Sequence, residues 1–265
     1  MPTPHISCTA LTFTSVLSVA AAMMPARADA IATNEGTAYR LDDGAAAYRE
    51  IHLLYASGGV PARLVLYRCM NGAPFARKTM IEPAGEMTPD FNFVDGRTGY
   101  REGVRSTVRG REIYWQKSAT AVEKLKKLVI PANAVIDAGF DSMIRTHWAS
   151  LGMGTSISAN FLLPSALRFL KLSIEQVKGD PVPGVIHLRM KLDTWYGFVA
   201  PDTDLYYRSS DQRLLRFKGI GTIRDTRGRN QAVRIEFPDG LQGRQASASE
   251  IAAARRLPLT GRCGA

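Results

Sequence analysis

From Tyr48 onward, apolar and polar residues alternate in short segments that are broken by Gly, Pro, Asn and Asp. A period of two marks a strand with one buried and one wet face, and that punctuation marks antiparallel turns. The pattern predicts strands over Tyr48–Tyr55, Ala62–Met70, Ala76–Glu82, Phe91–Asp95, Thr98–Val104 and Arg111–Gln116 in the first half. In the second half it predicts Ser156–Leu163, Leu167–Val177, Val185–Asp193, Leu205–Ser209, Leu214–Ile220 and Ala232–Phe237. Ile186, Leu188, Met190 and Leu192 alternate cleanly with His187, Arg189, Lys191 and Asp193. Leu64-Val65-Leu66-Tyr67 is different, because it is apolar on both faces, so something other than the main core is expected to cover its second side. Spacings of three and four take over only at Ala138–Leu151, where Phe140, Ile144, Trp148 and Leu151 form a stripe with Met143 beside them. Asp137 is the expected N-cap there, and Gly152 and Gly154 are the expected stop. A shorter, basic helix is expected over Thr120–Leu128, where Glu123 and Lys127 are spaced i, i+4. The fold class is therefore α+β and mostly antiparallel β.

The start of the chain has a different texture. Leu11–Met24 is uncharged and largely apolar, and Ala28-Asp29-Ala30 follows it as a small-x-small cleavage site. The run is shorter than the roughly 20 residues that spanning requires. Residues 1–30 are thus expected to be an export signal, although Met1–Thr9 has His5 and no Lys or Arg. The expected organisation is a signal over 1–30, one β-rich domain over 31–240 and a polar, basic tail over 241–265 that is loosely attached apart from a short helix near Ser249–Arg256. The location expected for the cleaved protein is the periplasm.

Charge and cysteines refine this picture. The formal net charge is +10 and resides in residues 31–265, since Arg27 and Asp29 cancel. Arg49, Arg63, Arg68, Arg77, Arg101, Arg105, Arg109 and Arg111 fall singly between apolar residues, as on the solvent face of strands. The alternative is a field that attracts an anionic membrane or partner. Nucleic acid is not expected, because no recognition motif accompanies the charge. Cys8 lies within the signal, and Cys69 and Cys263 remain either as one disulfide or as two free thiols.

Motifs for chemistry are absent. His52, His147 and His187 have no metal-ligand spacing, and Asp141 and His147, six apart, fall on different faces of a helix. No G-x-S-x-G occurs, and Gly219-Ile220-Gly221 lacks the third glycine and the helix of a phosphate loop, which leaves a strand bulge or hairpin. Asp202, Asp204 and Asp211 fit no calcium loop. No cofactor and no metal are expected, and a non-catalytic protein is expected, with an unrecognised hydrolase as an alternative. What remains is apolar: Phe140, Met143, Ile144, Trp148 and Leu151, and a second group of Trp195, Tyr196 and Phe198. These either fill a core or line a cavity for a lipid or acyl chain.

Export signal, antiparallel strands, helices around residues 120–151 and a second run of long strands come in an order that resembles the periplasmic lipoprotein-carrier fold of the LolA and LolB type. Val135-Ile136-Asp137-Ala138-Gly139-Phe140-Asp141 with Trp148, and Gly219–Asp225 leading into Val233-Arg234-Ile235, look like segments of uncharacterised proteobacterial periplasmic proteins. The resemblance covers roughly residues 38–240. It implies a strongly curved half-barrel wrapped over one or two helices, and it implies transport of a lipid or lipoprotein acyl chain. The second expectation is an envelope scaffold with a filled core and a basic face.

Overall fold

The computed structural model describes Met1 and residues 32–81, 87–179, 182–193, 201–225 and 227–263. The signal region and the group Trp195, Tyr196 and Phe198 lie outside the described residues. The first half is a meander of β1 (Ala32–Arg40), β2 (Ala46–Ser57), β3 (Val60–Arg68), β4 (Pro74–Ile81), β5 (Asp90–Asp95), β6 (Tyr100–Thr107), β7 (Gly110–Gln116) and β8 (Lys124–Lys127). After β9 (Ala134–Val135) and two short helices, α1 (Gly139–Thr146) and α2 (Trp148–Gly152), the second meander begins. It comprises β10 (Ile157–Leu163), β11 (Arg168–Gln176), β12 (Val185–Leu192), β13 (Thr203–Arg208), β14 (Leu214–Arg224) and β15 (Asn230–Glu236). The chain ends with β16 (Gln242–Gln245) and α3 (Ala248–Arg256).

All the strands belong to one sheet that is antiparallel except where β9 runs parallel to β10. The two meanders join where β1 pairs with β15, Thr37 opposite Glu236, and β8 and β9 stand at the two ends of the sheet. The sheet curves without closing into a complete ring, and Pro164–Ala166, between β10 and β11, packs against β6 and β7. Gly58 and Gly59 turn β2 into β3 with φ of 61° and 77°, the positive pair that a tight two-residue hairpin needs.

The strand expectations hold to within a few residues, and four other expectations are corrected. Residues 124–127 form an edge strand, with Tyr114 opposite Leu125, and no helix covers Thr120–Leu128. Glu123 is taken by Arg105, at 3.0 Å, and not by Lys127. The open backbone edge of β7 offers a ladder that outweighs a weak helical preference. Asp137 is not a helix cap: its φ is +46°, Ala138 holds the N-cap position, and its carboxylate binds Lys78. The Ala138–Leu151 helix is broken at His147, which ends α1 and starts α2. Gly219–Arg224 runs within β14 and carries a register shift against β15, in keeping with the bulge reading.

The fourth correction concerns the chain after residue 240, which is bound in place. β16 pairs with β1, and α3 starts at Ser247 with a full capping box to Glu250. Ile251 and Ala254 of α3 bury Leu53, Leu64 and Leu66 on the outer face of the sheet. That is the second cover demanded by the doubly apolar β3. Arg77 reaches from β4 to donate to the carbonyls of Ala254 and Leu257, satisfying the end of the helix. The chain then crosses Gly96 so closely that a Cβ there would lie 2.1 Å from the Leu259 carbonyl oxygen. A disulfide between Cys69 and Cys263 fastens the end, with Cα atoms 4.9 Å apart.

Candidate functional site

Inside the curve the apolar side chains form two clusters. One gathers Val65, Tyr67, Phe75, Met80, Phe93 and Ile235 from the first meander and its junction with β15. The other packs Met143, Ile144 and Leu151 against Leu172, Ile174, Leu188 and Leu205. Phe217 touches both clusters, and a cavity of about 580 Å³ lies at that junction. This volume is within the range that accommodates a drug-sized or acyl ligand, about 300–1,000 Å³.

Its apolar lining is drawn from both halves of the chain: Leu54, Val65 and Met80 from the first meander and Phe161, Met190 and Leu205 from the second. Ionic groups are interleaved with this lining on the first meander, where Val65 lies between His52 and Lys78 of the neighbouring strands. Lys78 Nζ donates to Asp137 Oδ2 at 2.6 Å, and only a small fraction of the lysine side chain remains exposed. Glu50 Oε2 lies 3.0 Å from His52 Nε2. Arg145 donates to Asp141 Oδ2 at 3.1 Å, and the Tyr207 hydroxyl donates to Asp141 Oδ1 at 3.2 Å. Arg63 and Arg213 add two more guanidinium groups to the lining. Burial pushes the Tyr67 and Tyr207 hydroxyls well above the ordinary tyrosine range, so both are neutral donors at any physiological pH.

Behind this lining, the Tyr100 hydroxyl donates to Glu102 at 2.5 Å and accepts from Arg224 at 3.0 Å. Burial raises the Glu102 carboxyl above its usual range, against the opposing pull of the Tyr100 hydrogen bond and of Lys78 and Arg224. The left-handed backbone at Asp137 is uncommon for a non-glycine residue, although aspartate tolerates it better than most. It aims a carboxylate from the segment before α1 at the ammonium of β4.

Of the residues expected to line a cavity, Phe140 does so. Met143, Ile144 and Leu151 instead fill the second core cluster, each nearly or wholly buried, because α1 and α2 turn that stripe toward β10–β13. Trp148 packs edge-on against Tyr207, with ring centroids 5.9 Å apart. Beside Phe140, the part of α1 that reaches the cavity carries the polar Asp141 and Arg145. Glu50, His52, Arg63, Lys78 and Asp137 were missed, and Arg63 is not on a solvent face as expected. For Glu50, His52, Arg63 and Lys78 the signal in the sequence is strand alternation, which cannot distinguish bulk water from a polar interior, and Asp137 reads as a helix cap.

The remaining chemical candidates are structural. His187 and Arg189 both contact Asp204 Oδ1, at 2.9 Å each, and the His187 ring stacks on Tyr206 with centroids 4.3 Å apart. Burial alone would raise the Asp204 carboxyl, but these hydrogen bonds outweigh it and hold it below its usual range. Asp211 bonds Arg208. Among the described residues no group of His, Cys, Asp and Glu is arranged to hold a metal ion, and no helix is long and apolar enough to cross a membrane.

Fold and cavity together define a curved antiparallel sheet around a chamber lined by both apolar and ionic side chains. The chain matches no protein-family model and no curated protein. Among solved structures it is similar to a β-barrel-like protein of domain of unknown function DUF1849 from Brucella abortus, at 11% identity and a TM-score of 0.44. That likeness covers 80% of this chain and 98% of the other.

Proposed function

We propose that this chain is an exported, non-catalytic periplasmic protein that holds an amphipathic ligand, a lipid or acyl chain, inside the curved sheet. The observation that supports this reading is the cavity of about 580 Å³ between two packed clusters, with apolar lining residues from six different strands. Each methylene buried there is worth about 0.8 kcal/mol, so a medium-length chain offsets the cost of its own ordering. The apolar body of the ligand lies along Phe161, Met190 and Leu205 of the second meander. Its polar end meets Lys78, Asp137, His52 and Glu50, whose pairing already satisfies them when no ligand is bound. The role is the one implied by the resemblance to carriers of the LolA and LolB type, holding an acyl group in transit.

The test is native mass spectrometry of protein purified gently from the periplasm, with extraction of whatever lipid accompanies it. The parent protein is expected to carry a stoichiometric lipid and to bind a fluorescent fatty acid. Met190→Trp, which fills the chamber from a half-buried position, is expected to weaken that binding at least tenfold while the melting temperature holds. Absence of lipid together with fatty-acid binding that is indifferent to Met190→Trp would remove the chamber from the function.

A further inference from the structure

The corner formed by β6, β7 and β8 carries an unusual surface. Val108 at the β6–β7 turn, Leu125 in β8, and Val122, Val129 and Ile130 flanking it are all exposed, Val122 to 86% and Val129 to 74%. Exposed aliphatic residues are ordinary when scattered, but these crowd one edge of the sheet. The backbone bond from Leu128 N to Arg111 O sets Val129 and Ile130 beside the turn that carries Val108.

Cations alternate with these residues along the edge strand, Lys124 and Lys126 projecting to one face and Leu125 and Lys127 to the other, so that a surface meeting the strand edge-on meets both. Lys124, Lys126 and Lys127 are exposed along β8, and none has an ion pair among the described residues; Lys124 sits over the Trp115 ring, 5.2 Å from its centroid. Lys117 and Arg109 are nearby and also have no carboxylate partner among the described residues. The acidic groups of the corner are already engaged. Glu112 and Glu123 are held by Arg105, at 3.6 and 3.0 Å, and Asp90 is held by Arg111 at 2.7 Å. Glu112 and Glu123 share one guanidinium, yet five further cations leave the corner with an excess of positive charge around exposed aliphatic side chains, the combination that settles at the headgroup level of an anionic bilayer.

We infer that the β8 edge, with Leu125, Val129 and Ile130 among Lys124, Lys126 and Lys127, is a docking surface for an anionic lipid bilayer. It is a surface distinct from the chamber and does not depend on the chamber being occupied. Lysines on an edge strand also serve to block strand addition by another chain, and the test separates the two roles.

The protein is sedimented with vesicles of phosphatidylcholine alone or mixed with phosphatidylglycerol, at low and high salt. Binding is expected only to the anionic vesicles and is expected to fall as salt screens the lysines. Lys124→Gln, Lys126→Gln and Lys127→Gln together are expected to weaken it roughly a hundredfold. Leu125→Ser, Val129→Ser and Ile130→Ser, which keep every charge, are expected to weaken it as well, with melting temperatures unchanged because all six positions are exposed. The docking role is overturned if the parent binds neither vesicle, or if the lysine variant binds as the parent does. Self-association of the lysine variant in a protein that ignores both vesicles would overturn it too, and would assign the lysines to guarding the open edge.

Discussion

Replacing both Cys69 and Cys263 by serine opens a loop whose ends are 194 residues apart in sequence. In the chain-entropy treatment, a crosslink of that span removes enough freedom from the unfolded chain to stabilise the native state by about 5 kcal/mol at 25 °C. The native side of the comparison is nearly unchanged, because α3 keeps its capping box, its burial of Leu53, Leu64 and Leu66, and the bonds from Arg77. The loss therefore falls on the unfolded state, and for a domain of this size it corresponds to a melting temperature lower by about 10–20 °C. Urea unfolding followed by far-ultraviolet circular dichroism, on the parent with and without reductant and on the double variant, reads the effect. The reduced parent and the variant should coincide, with a steeper denaturant dependence than the oxidised protein because the unfolded chain becomes less compact. A difference below about 1 kcal/mol between oxidised and reduced protein would refute the reasoning, since it would mean that the bond does not restrain the unfolded chain.

Two further perturbations probe the interior. Lys78→Met strands the Asp137 carboxylate in the chamber wall and should cost about 3–5 kcal/mol, whereas adding Asp137→Asn, which tolerates the same left-handed backbone, should restore much of it; urea midpoints of the single and double variants check this, and additive losses would refute it. Glu102 has a folded pKa above its unfolded value, so the stability that its protonated form contributes is present at acid pH and is lost as pH rises from the ordinary glutamate range through the raised folded value. Glu102→Gln imitates the protonated form, so its melting temperature should exceed the parent's at neutral pH and the gap should close toward acid pH, and a gap independent of pH would count against the burial of that carboxyl.

Many strands were legible because one face is mostly apolar, as in β12, where Leu188 is fully buried. β1 escaped notice because Ala32-Thr33-Asn34-Glu35-Gly36 has little strand preference of its own; it is held by neighbours on both edges. The cover over Leu64 and Leu66 was demanded by the sequence at β3, and the short helix near Ser249–Arg256 was legible too, but nothing local joined the two across almost two hundred residues, so that helix read as part of a loosely attached tail. The chamber was the hardest part to read. Its ionic groups sit in strands at alternate positions, as water-facing residues do, and only the curvature of the sheet turns Glu50, His52 and Lys78 inward. The helix stripe was legible as a buried surface, and which surface it met was not, because Met143, Ile144 and Leu151 suit a filled core and a lipid wall equally well.

The shared position of β1 has a consequence for assembly. Its edge beyond β2 is completed by β15 at Thr37–Arg40 and by β16 at Ala32–Asn34, so the first strand of the sheet waits for the last two. Until those arrive, a growing chain carries a half-built meander with an open row of amide and carbonyl groups, the template on which misassembly begins. Such distant pairing makes for slow folding. A chain of this topology gains from being kept unfolded until its whole length is available, and the final closure of Cys263 onto Cys69 then serves as a latch that records correct completion of the sheet.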